Sequence, residues 1–208
     1  MIEHCDKINP NLKYEIGTEE AIRYFDVDEL EKLISGIKKK LNPSIFDKIK
    51  YLVIQSGTSL KGNIQTGKYD KNRLLDMVNL AKKYNFLSKE HNGDYIPVNV
   101  IKEKFNLGLD TINIAPEFGL IETQTYLDEI KDENIFDKFW KICYDSNRWV
   151  KWVNDSFNPY INKEELVKIC GHYVLSNEKF LSEIKINFPN IDKKIKMNVI
   201  KKLNQFYE

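Results

Sequence analysis

The sequence predicts an α/β protein built from consecutive strand–helix units of a parallel sheet, followed by an α-helical C-terminal tail. Three observations carry this. Four short apolar runs recur, each leads through a polar or Gly-containing loop into a segment of helical periodicity, and the pattern stops near Asp132. The runs begin at Tyr14, Tyr51, Phe86 and Thr111, spacings that leave room for a helix in every unit.

The strands are read at Tyr14–Ile16, Tyr51–Gln55, Phe86–Ser88 and Thr111–Ala115. The first helix, Val27–Leu41, sets Leu30, Leu33, Ile34, Ile37 and Leu41 on one face. Asp70 is placed to cap Lys71–Tyr84, whose stripe is Leu74, Leu75, Val78 and Ala81. Asn99 is placed to cap a third helix through Val100, Ile101 and Phe105, and Ile121, Thr125 and Leu127 mark a fourth. Beyond Asp132, helical spacing links Phe136, Phe139, Trp140 and Cys143, then Trp149, Trp152 and Val153, then Leu166, Val167 and Cys170, with a last helix over Ile191–Phe206. The predicted division is 1–131 for the strand–helix units and 132–208 for a helical extension packed on them.

Composition narrows the function classes. Of 208 residues 42% are hydrophobic, enough for a core, and the net charge of +1 gives no electrostatic case for nucleic acid or an anionic membrane as partner. No stretch approaches the roughly 18 apolar residues of a spanning helix. The opening MIEHCDKINPN is polar, unlike a signal peptide, and Cys5, Cys143 and Cys170 form no CxxC pair; a cytoplasmic protein with free thiols is expected.

Four strand–helix units suit either a small open sheet or half of an eight-fold barrel. Neither GxGxxG nor a P-loop follows the first strand, which favours the barrel. In both architectures ligands sit at the C-terminal ends of the strands. Those ends carry Glu15, Gly17, Thr18, Glu19 and Glu20; then Gln55, Ser56, Gly57 and Thr58; then Lys89 to Tyr95; then Asn113, Pro116 and Glu117. Carboxylates and histidine do acid/base work or hold metals, and Gly and Ser/Thr amides hold phosphate, so the set suits a sugar-phosphate pocket. Plainer readings stand beside it. Thr18 with Glu19 or Glu20 can cap a helix, Gly57 can be a turn glycine, and Trp140, Trp149 and Trp152 fit a core. Glu90 and His91 point to opposite faces of a regular strand. Lys89 is either a charged rim residue or, turned inward, an amine able to form a Schiff base with a ketose.

The stretches YEIGTEEA (14–21), YLVIQSGTSL (51–60), SKEHNGDY (88–95) and INIAPEFGLIET (112–123), with CYDSNRWVKWV (143–153) and GHYVLSNEKFLSEIKINF (171–188), resemble a known family. It is the non-catalytic accessory subunit family of class II D-tagatose-bisphosphate aldolase, also called tagatose-6-phosphate kinase-like. The resemblance implies a (β/α)8 barrel related to the zinc-dependent class II aldolases, of which this chain would be the second half. It implies a sugar-phosphate, aldolase-like role in carbohydrate metabolism, or a non-catalytic role stabilising a separate zinc aldolase, or self-pairing of half-barrels. On this view His91, Glu90 and Asp94 are the catalytic candidates. Glu15, Glu19, Gln55, Ser56, Gly57, Thr58, Asn113 and Glu117 line the substrate. His91 is the one candidate zinc ligand, and further donors would come from a missing half or a partner.

Overall fold

A computed structural model of the chain describes residues 1–18 and 23–206. By its contacts the chain divides into two compact units, residues 1–60 with 65–114, and residues 61–64 with 115–208.

The first unit opens with a short helix α1 (Ile2–Ile8), and its sheet begins at β1 (Tyr14–Gly17). Helix α2 (Val27–Lys40) starts at a capping box: the Asp26 carboxylate accepts from Glu29 N at 2.7 Å, and the Glu29 carboxylate accepts from Asp26 N at 3.2 Å. Leu30 and Ile34, predicted to face inward, are fully buried. One turn of helix, α3 (Pro43–Phe46), leads into β2 (Ile49–Ile54). After β2 the chain forms a small hairpin, β3 (Leu60–Lys61) with β4 (Ile64–Gln65), in a stretch where the sequence shows only loop; its residues 61–64 group with the second unit. Helix α4 (Lys71–Lys83) begins where Asp70 accepts from Arg73 N at 3.0 Å, as predicted, and buries Leu74, Val78 and Ala81.

Strand β5 (Leu87–Glu90) runs two residues past its predicted end, so Lys89 and Glu90 belong to the sheet rather than to a loop. Helix α5 (Val98–Asn106) begins earlier than predicted. Pro97 stands at its N-cap with φ fixed at −56°, and Asn99 lies inside the first turn. Strand β6 (Thr111–Ile112) is shorter than predicted because Pro116 already opens the next helix.

The four main strands are parallel and lie in chain order, β1-β2-β5-β6. Each unit adds its strand on the same side, which is the winding of a barrel segment, and the sheet of the described residues does not close. Ile16, Leu52 and Ile54 meet Leu30, Ile34, Leu74 and Met77 in one core.

The second unit is helical: α6 (Pro116–Glu129), α7 (Glu133–Asp145), α8 (Lys163–Cys170), α9 (Glu178–Glu183) and α10 (Ile191–Asn204). Helix α6, predicted to go with the strands, belongs to this unit. Its core centres on three rings: Tyr126 meets Phe180 edge-on at 4.9 Å, and Phe139 meets Phe180 at 5.0 Å. Trp140, Trp149 and Trp152 pack against this core. Cys143 and Cys170 are buried free thiols. Among the described residues no helix is long and apolar enough to cross a membrane.

Candidate functional site

Strand alternation divides the predicted site between two faces of the sheet. Ser88 and Glu90 point toward the helices; Lys89, and His91 just past the strand end, point away from them. On that outer face Glu15 of β1 joins two partners. Lys89 Nζ donates to Glu15 Oε2 at 2.6 Å, and His91 Nε2 lies 3.1 Å from Glu15 Oε1. The register sets Glu15 level with Tyr51 and Leu87, and Lys89 level with Val53 two residues further along, so Lys89 reaches back across β2 to the carboxylate. Lys89 also stands over the Tyr51 ring, 5.6 Å from its centroid. The side chains of Glu15, Lys89 and His91 are 33%, 20% and 28% exposed, open enough to meet a ligand.

Glu90 takes the other direction and is wholly enclosed. Lys104 of α5 donates to its Oε2 at 2.6 Å and to Ser56 Oγ at 3.1 Å, and Ser56 Oγ donates to Glu90 Oε1. Neither Lys104 nor Glu90 has exposed side chain, and Ser56 is buried with them. The Tyr69 ring lies 4.6 Å below the Lys104 ammonium. Burial pushes the Tyr69 phenol up, and the carboxylates of Glu103, Glu90 and Asp70 push the same way. Here a desolvated charge pair is held by a hydroxyl and an aromatic face.

Gln55 is also committed internally. Its amide nitrogen donates to Thr18 Oγ1 at 3.0 Å and to the Arg23 carbonyl at 2.9 Å. Its oxygen accepts from Phe25 N and from Arg73 Nη2, both at 2.8 Å. Two donors and two acceptor positions exhaust an amide side chain. Gln55 thus fastens the segment after β1 to α4. Thr58 donates to the His91 carbonyl at 2.8 Å. Gly57 has φ +94°, and an added Cβ would fall 1.8 Å from the Lys68 carbonyl oxygen, so only glycine fits there. Gln65 of the hairpin donates to the carbonyls of Asn92 at 2.8 Å and Asp94 at 3.1 Å, tying down the loop after β5.

Asp94 is buried, and Asn113 is exposed at the end of β6. Glu117 sits on α6 in the second unit, paired with Lys202 at 2.5 Å. Glu19 lies outside the described residues. The structure therefore brings Glu15 and His91 together with Lys89, encloses Glu90 and Ser56 with Lys104, and locks Gln55 into the scaffold.

Lys104 is the residue that sequence reading missed. A faint signal exists: it falls three positions after the buried Ile101, on the inward side of α5, where a solvated lysine does not belong. Phe105, the next residue, is 41% exposed.

Among the described residues no group of three His, Cys, Asp or Glu side chains is placed to hold a metal. The Glu15 carboxylate lies at the His91 ring nitrogen, and a closed zinc site takes four ligands. The described donors do not fit zinc by themselves.

No protein-family model and no curated protein matches the chain. Solved structures do. A probable tagatose 6 phosphate kinase from Sinorhizobium meliloti 1021 superposes with a TM-score of 0.57 at 16% identity, over 83% of this chain and 48% of that one. The fructuronate-tagaturonate epimerase UxaE from Cohnella laeviribosi, crystallised with glycerol, superposes with a TM-score of 0.60 at 11% identity, over 99% of this chain and 49% of that one. At these identities the likeness is one of fold. The chain spans about half the length of each.

Proposed function

We propose that the chain is a four-stranded portion of an aldolase-like barrel that binds a sugar phosphate in carbohydrate metabolism. One observation carries the reading: Lys89 and His91, at the C-terminal end of β5, meet the Glu15 carboxylate, which reaches them from within β1 on the face turned away from the helices. C-terminal strand ends are where parallel α/β proteins hold their ligands. Lys89 offers a cation to a phosphate or a polarised carbonyl. Glu15 accepts from sugar hydroxyls, and the His91 ring is the acid/base candidate for proton transfer at a hydroxyl carbon. Glu90, Ser56 and Gln55 set the strand ends in place and do not meet the ligand. Of the two similar solved structures, one is named for a sugar phosphate and the other for sugar acids, which supports a sugar ligand. His91→Ala should abolish ketose-bisphosphate cleavage by the complete assembly; unchanged turnover would sink the catalytic reading.

A second reading is a non-catalytic subunit that stabilises a separate class II zinc aldolase. The enclosure of Glu90 by Lys104 favours it, because it removes one of the carboxylates expected to do chemistry. It expects no lyase activity from the chain alone and a higher melting temperature of the aldolase on mixing. An aldolase whose melting is unmoved argues against it.

A further inference from the structure

We infer that the open sheet of the first unit takes a second copy of this chain, edge to edge, so that two four-stranded sheets close on each other. An all-parallel sheet is stable when both faces are covered. Here α2 and α4 cover one face with the core that includes Leu52 and Ile54, and α5 reaches the same side through Lys104. The opposite face presents Tyr51, Leu87 at 43% exposure, and the cluster of Glu15, Lys89 and His91.

The edges suit the same partner. Among the described residues β1 and β6 each pair on one side only. At β6 the direction of the free groups follows from the ladder. Asn113 spends its N–H on the Glu90 carbonyl at 2.8 Å and its own carbonyl on Gly93 N at 2.9 Å. Alternation along a parallel strand then turns the N–H and C=O of Ile112 to the outer edge. An unpaired edge of this kind is a template for another strand.

The occupant is a second copy because the winding is self-complementary. With all strands parallel and in chain order, a two-fold axis along the strands sets β6 of one copy beside β1 of the other, parallel, at both seams. The chain covers 48% and 49% of the two solved structures that share its fold. The cluster on the open face would then lie inside the closed sheet, completed by the same residues of the partner copy.

The test is light scattering of the purified full chain beside Ile112→Pro, which removes the outward N–H and leaves the bonds of Asn113 in place. The expected result is twice the 24.6 kDa chain mass for the natural sequence and a single chain mass for the variant. A single-chain mass for the natural sequence, or a double mass that Ile112→Pro leaves unchanged, overturns the inference. Should the proline variant not fold, hydrogen exchange at the Ile112 amide gives the same decision: protection should rise with chain concentration, and concentration-independent exchange overturns it. His91→Ala should remain dimeric, so a failure of pairing is separable from a failure of the ligand reading.

Discussion

The Lys104 ammonium stands 2.6 Å from the Glu90 carboxylate, and neither side chain reaches solvent. Two desolvated charges gain little net stability from each other, but removing one strands the other. Lys104→Met should therefore cost about 3–5 kcal/mol. Replacing both, as Glu90→Gln with Lys104→Met, should recover most of that loss. Urea unfolding of the single and double variants measures it. Equal losses in both would show that the pair is not the unit that matters.

Gly57 gives a sharper local prediction. With φ at +94° and the Lys68 carbonyl where a Cβ would go, Gly57→Ala has no unstrained solution. The cost should be about 3 kcal/mol or more, from backbone strain and steric overlap together. Gly36, on α2 with nothing near a new Cβ, is the control. Gly36→Ala should stabilise by about 0.5–1 kcal/mol. Thermal melting of both variants checks the contrast.

Acid should loosen the second unit through His172. Burial, and secondarily Lys151, hold its imidazole below the ordinary value, and its Nδ1 is buried without a hydrogen-bond partner. The folded state thus prefers the neutral ring. The unfolded chain binds the proton first, so this contribution is intact above a pH of about 6.5 and is lost as pH falls from there toward the depressed folded value. His172→Gln should flatten the dependence of melting temperature on pH across that window. A variant whose profile is as steep as the natural chain's would assign the effect elsewhere.

Much of the fold was legible because periodicity reports burial directly. The stripes of Leu30 and Ile34, and of Leu74, Val78 and Ala81, placed α2 and α4 correctly, and Asp70 capped where its position suggested. Alternation also separated Glu90 from His91. It did not say which face each took, because that depends on where the helices lie. Lys104 was hidden because charge predicts exposure, and a charged residue is buried only when a partner from another element meets it. Gln55 and Ser56 looked like ligand residues for a related reason. Polar side chains at strand ends fasten loops or bind substrates with the same chemistry, and only their partners tell the two apart.

If the cluster of Glu15, Lys89 and His91 meets a phosphorylated sugar, the His91 ring is its most direct reporter. The chain has three histidines, of which His4 is exposed and His172 belongs to the second unit. Imidazole NMR of the full chain, titrated with a ketose bisphosphate and with sodium sulfate as an ionic control, separates them. A saturable shift of the His91 resonances is expected with the sugar phosphate, with small changes in sulfate and loss of the response in Lys89→Ala. Resonances of His91 that stay fixed up to millimolar ligand would contradict it.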